Sequence, residues 1–88
     1  MKLEDTIKKM QSDDYKDRFI AEYWQTKIRY DKLHKMLIKQ EAGTLNFSPA
    51  TPIALLEKQA CHMGNYLKCL EIRAEIEKIE LGIGEVKL

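Results

Sequence analysis

Apolar residues recur at alternating steps of four and three through two long stretches of this 88-residue chain, and the break between them, AGTLNFSPATP (Ala42–Pro52), holds both prolines. At about 100° per residue such a rhythm keeps side chains on one face of an α-helix, which a strand of period two cannot do. On the first stretch it aligns Phe19, Tyr23, Tyr30, Leu33 and Leu37, with Thr26 between them. On the second it aligns Leu56, Ala60, Met63, Leu67, Leu70, Ala74 and Leu81, with Glu77 as the one charged member. Large residues on one side and Ala60 and Ala74 on the other suit interdigitated packing. The expected fold is therefore all-α, an antiparallel two-helix hairpin in a single domain.

Local signals set the boundaries. Leu3, Ile7 and Met10 repeat at helical spacing and predict a short N-terminal helix over 2–11. Ser12, Asp13 and Asp14 supply cap candidates and acidic side chains for a long helix over 14–41. Gly43 is the candidate for its left-handed stop, and a loop follows over 42–51. Ser48-Pro49 and Thr51-Pro52 are both suited to opening the next helix, and the sequence does not choose between them. That helix is expected over 52–81, with Gly82 ending it, Ile83 making the accompanying apolar contact, and a tail over 82–88. Gly64 interrupts it at about 1 kcal/mol if the position is exposed.

The seam leaves apolar surface over. Ile20, Trp24, Ile28 and Ile38 form a second stripe on the first helix, and Ile72, Ile76 and Ile79 a second one on the other, with Cys61 and Cys69 nearby. A lone hairpin buries one face of each helix, and a chain of this size builds only a marginal core. These seven residues, Ile20, Trp24, Ile28, Ile38, Ile72, Ile76 and Ile79, are accordingly expected to form the interface of a helical homo-oligomer.

Charge and composition remove several function classes. Fifteen Lys and Arg against fourteen Asp and Glu leave a formal charge of +1, too little for a global field toward DNA or an anionic membrane. No run reaches the roughly 18 apolar residues of a membrane span, and Met1 to Lys9 lacks the apolar region of a signal peptide, so a cytosolic location is expected. Cys61 and Cys69 stand eight apart, too far along a helix for a disulfide, and with no CxxC and two histidines no metal site is expected. Both cysteines are expected as small, partly buried hydrophobes. No Cys/His or Ser/His/Asp constellation and no Gly-rich phosphate loop is present, so the chain is read as a non-enzyme that needs no cofactor. Glu71, Glu75, Glu77 and Glu80, interspersed with Lys68, Arg73 and Lys78, read as a solvated paired surface.

The stretch AEYWQTKIRYDKLHKM (Ala21–Met36) packs three aromatic residues, a histidine and four Lys or Arg into sixteen positions. Its plain reading is a core stripe with solvated basic residues around it. Its functional reading is a surface on which assembly brings an aromatic ring together with cations of another chain, to stack a base and neutralise phosphates. The candidate ligand-binding residues are Tyr23, Trp24, Lys27, Arg29, Tyr30, His34 and Lys35. Lys27, Arg29, Lys32, Lys35 and Lys39 are expected on several sides of the helix rather than one face. In the loop, Leu45 and Phe47 lie among hydroxyls, amides and free backbone donors at a helix start, so Ser48 and Thr51 join the candidates, with simple capping as the plainer role.

From Asp14 to Leu81 the chain resembles a family of small phage and prophage proteins named for a crAssphage protein. The resemblance is carried by Tyr15, Lys16, Arg18 and Phe19, by Glu22-Tyr23, by Lys32 to Met36, by the loop Gly43 to Pro49, and by Leu70 to Glu77. It implies a phage origin and a helical hairpin, and carries over no catalytic residue. In size, form and expected oligomerisation the chain is also similar to the helical-hairpin phage sponges that sequester cyclic nucleotide signals of CBASS and Thoeris defence, a likeness of architecture rather than of motif. The expected function is sequestration of such a signal in the host bacterial cytoplasm, with the chain itself and a small nucleotide as partners. The alternatives are a protein-binding inhibitor of a host defence protein, anti-CRISPR or effector blocker, and a structural or assembly accessory of the phage.

Overall fold

The computed structural model describes residues 1–82. A 3₁₀ turn at Leu3–Asp5 leads into the short α1 (Thr6–Met10), followed by the long helices α2 (Tyr15–Ala42) and α3 (Ile53–Glu77). No strand occurs among the described residues. Helices α2 and α3 pack together as a hairpin, and α1 packs against α2.

The start of α2 follows the acidic cap. Asp14 Oδ1 accepts the backbone N–H of Lys16 at 3.0 Å, Ser12 Oγ donates to Asp17 at 2.8 Å, and Arg18 Nη1 donates to the carbonyl of Ser12 at 2.8 Å. Its end falls on Gly43, left-handed at φ 77°, and the N–H of Thr44 bonds back to the carbonyl of Lys39 at 2.9 Å. This closes the Schellman pattern that glycine permits at little steric cost. Helix α1 then lies along the Asp17, Ala21, Gln25 face of its own hairpin. Lys9 pairs with Asp17 at 3.6 Å, and Gln25 Nε2 donates at 2.9 Å to the hydroxyl of the buried Thr6.

Two boundaries of α3 differ from expectation. It begins directly after Pro52, which takes the cap position without a side-chain bond, so neither Ser48 nor Thr51 caps it. It ends at Glu77 rather than 81, because Lys78 adopts the left-handed conformation (φ 57°) and the N–H of Ile79 reaches the carbonyl of Ala74 at 2.8 Å. Lys78 and Ile79 thus hold the roles expected of Gly82 and Ile83, and Ile83 lies outside the described residues. The early stop turns the chain inward, and Ile79 and Leu81 are buried with Phe19, Tyr23, Leu67, Leu70 and Ala74.

The core therefore sits where the start of α2 meets the end of α3. Toward the loop the seam loosens, and Tyr30, Leu33, Leu37, Leu56 and Met63 are half-buried. Gly64 has a packing reason: a Cβ there would stand 3.4 Å from the Tyr30 ring, which lies against the backbone of α3. The second stripe of α2 is only partly open, since Ile20 and Trp24 pack on the core and Ile28 is half-buried. Ile79, expected on the outward stripe of α3, is instead a core residue because the helix stops before it. Ile38, Ile72 and Ile76 remain exposed. Cys61 and Cys69 are free and exposed on the outward side of α3, not partly buried, because the core is supplied by Leu67, Leu70 and Ala74 on the opposite side.

Candidate functional site

Lys32, Lys35 and Lys39 follow one another at steps of three and four, which puts them on a single face of α2. The left-handed Gly43 sends the loop back over that face, and the Thr44 bond to Lys39 holds it there. The result is a recess of about 310 Å³ lined by the three lysines and Met36 on one side and by Thr44, Leu45, Asn46 and Phe47 on the other. Among the described residues none of the three lysines takes part in an ion pair. Phe47 keeps 55% of its surface exposed. Three ammonium groups, a hydroxyl, an amide and an open aromatic ring suit a small anion that also carries a flat apolar part.

The residues singled out from the sequence do not all gather here. Tyr23 is fully buried, and its hydroxyl donates to Glu71 Oε2 at 2.7 Å. Burial first, and then the Glu71 carboxylate, push its pKa well above that of an ordinary phenol. Trp24 is half-buried, edge-on to Tyr23 at 5.5 Å, and its indole N–H donates to the carbonyl of Leu81. Lys27, Tyr30 and His34 do come together. The His34 and Tyr30 rings stack at 5.6 Å, and Lys27 Nζ lies 5.9 Å from the Tyr30 centroid while pairing with Asp31 at 3.0 Å.

Lys27 is thereby neutralised, and His34 faces a different cleft, of about 500 Å³, whose lining includes Leu37, Ile38 and Ile53 together with Glu41 and Glu57. Two carboxylates make that cleft a poor place for an anion. Arg29 lies on the α1 side, beside Leu3, Ile7 and Gln25. Ser48 is exposed and Thr51 half-buried. Lys35 alone of the candidates lines the basic recess. Lys32, Lys39 and Phe47, noticed in the sequence but not grouped, complete it, and their signal was the three-four spacing ending at a left-handed glycine. Two segments that carry the family resemblance, Lys32 to Met36 and Gly43 to Pro49, form its two walls.

The profile of the Sequestin family matches residues 13–76, close to three quarters of the chain. The chain belongs to the Sequestin family. Neither a curated protein nor a solved structure matches it. The Sequestin name denotes sequestration, a role of binding rather than catalysis, and nearly the whole of α2, the loop and α3 fall within the matched span. No helix among the described residues is long and apolar enough to cross a membrane.

Proposed function

We propose that this Sequestin-family chain is a phage counter-defence protein that sequesters a cyclic nucleotide immune signal of the CBASS or Thoeris type in the host bacterial cytoplasm, working as a homo-oligomer. One observation carries the reading: three lysines without ion-pair partners among the described residues converge with an exposed phenylalanine on one recess. Phosphates would lie on Lys32, Lys35 and Lys39, and a base would stack on Phe47, with Asn46 and Thr44 in reach of polar groups on the ligand. Sequestration needs no catalytic group, only tight stoichiometric binding.

Isothermal titration against a panel of cyclic di- and trinucleotides and cyclic ADP-ribose isomers tests it. One member of the panel is expected to bind, and silence across the panel with the chain folded would overturn the reading. The competing reading, a protein-binding inhibitor, is favoured by the cleft between the ends of α2 and α3, where the exposed Ile38 lies beside Glu41 and Glu57. Such a cleft suits a basic, partly apolar protein segment. Co-purification with a defence effector, lost in Ile38→Asp but retained in Lys35→Glu, would decide for it.

A further inference from the structure

The outward face of α3 carries a second, uncovered seam. Asn65, Cys69, Ile72 and Ile76 follow at steps of four, three and four on the side away from the core, and all four are exposed. Ile76 is 74% exposed, more than any other large hydrophobic among the described residues, and Ile72 is 51% exposed. This is the spacing of a two-helix interface, in which side chains at the seam are flanked on either side by residues that set partner and direction. The flanking residues are Lys68 and Glu75 along one edge and Tyr66 and Arg73 along the other.

From this pattern we infer that α3 pairs with α3 of a second copy, antiparallel about a two-fold axis passing between Leu70 and Glu71. In that register Cys69 meets the partner's Ile72 and Asn65 meets the partner's Ile76, each contact occurring twice by symmetry. Along one edge Lys68 faces the partner's Glu75, again twice, while on the other edge Tyr66 and Arg73 are held within their own chain by Glu22 and Glu77. Neither Lys68 nor Glu75 has an ion-pair partner among the described residues of its own chain. Their charges are complementary only in the antiparallel sense, because a parallel pairing sets Lys68 against the partner's Arg73 and carries the position opposite Glu75 beyond the end of α3 at Glu77. Asn65 lies at the ends of the seam, where its amide still reaches water. The seam spans only about 16 Å of helix, eleven steps of about 1.5 Å from Asn65 to Ile76, so the pairing is concentration-dependent. It uses a different face from the lysine recess and stands whether or not that recess takes a nucleotide.

Sedimentation velocity on the full chain over a dilution series tests the inference. A monomer–dimer equilibrium is expected, and Ile76→Asp shifts it to monomer while leaving the circular dichroism unchanged, because that side chain touches little of its own fold. Lys68→Glu weakens dimerisation by roughly tenfold, and adding Glu75→Lys restores it, since two opposite pairs are rebuilt. In a Cys61→Ser, Cys69→Ser background, Asn65→Cys with Ile76→Cys forms an interchain disulfide. A monomer at every concentration, or a failure of the double charge reversal to restore association, would each overturn it.

Discussion

The phenol of Tyr23 on α2 donates to Glu71 on α3 at 2.7 Å, and Tyr66 on α3 returns the arrangement by donating to Glu22 on α2. Each helix thus gives one hydroxyl and one carboxylate to the other, which fixes their register where apolar contacts alone would tolerate sliding. Both acceptor carboxylates raise the pKa of the phenol they hold, and that of Tyr66 is pushed up to about 12, first by its bond to Glu22.

Stability should therefore fall at alkaline pH. The folded chain holds the Tyr66 proton more tightly than the unfolded chain, whose phenol titrates near 10. Its contribution is fully present below about pH 10 and is lost as pH rises toward 12. Tyr23, shifted in the same direction, adds to the same loss. Tyr23→Phe is expected to cost about 1–2 kcal/mol at neutral pH and to flatten the alkaline decline. Tyr66→Phe should cost less, because its side chain is 43% exposed. Urea unfolding followed from neutral to strongly alkaline pH checks both.

Trp24 supplies a direct report on the segment after α3. Its indole N–H is held by the carbonyl of Leu81, and Leu81 is 6% exposed in the same cluster. Replacing Leu81 by Ala should cost about 2–4 kcal/mol if the cluster does not collapse into the space left. Leu81→Asp should detach the segment and move the emission of Trp24, the chain's one tryptophan, to longer wavelength. An unshifted spectrum in Leu81→Asp would mean that other side chains cover the ring.

Lys78 carries a conformational cost that glycine would remove. A non-glycine residue in the left-handed region is disfavoured by about 1 kcal/mol, so Lys78→Gly should stabilise the chain by about 0.5–1 kcal/mol. Thermal unfolding of that variant, with Lys78→Ala as control, checks it. An increase in Lys78→Gly not shared by Lys78→Ala is the expected result.

The same residue marks how far the sequence could be read. The hairpin, the Asp14 start and the Gly43 stop were legible because period, cap and glycine agreed on them. The end of α3 was not, since the apolar rhythm continues through Leu81 and the glycine expected to stop it stands at 82. What stops the helix is tertiary: burying Ile79 and Leu81 against Phe19 and Trp24 outweighs the strain at Lys78. That in turn withdrew Trp24 from the open stripe. The recess was missed for a different reason. Its lysines were visible one by one, but only the path of the loop after Gly43 shows that Phe47 lies across from them.

The recess makes the last prediction. Lys32 and Lys35 are exposed and, with Lys39, without ion pairs among the described residues, so Lys→Glu changes there should leave the fold intact and act on the ligand alone. A bond between a lysine and a phosphate contributes about 1.5–3 kcal/mol, so Lys35→Glu should weaken nucleotide binding by tenfold or more. Phe47→Ala should lose about 1–3 kcal/mol of stacking, while Phe47→Tyr keeps it. Exposed charges are screened within about 10 Å at 0.1 M salt. Binding should accordingly weaken as salt is raised, and less steeply in Lys35→Glu than in the unsubstituted chain. The contrasting outcome, full affinity in Lys35→Glu with loss in Lys27→Glu, would move the ligand from the recess to the Tyr30 and His34 stack.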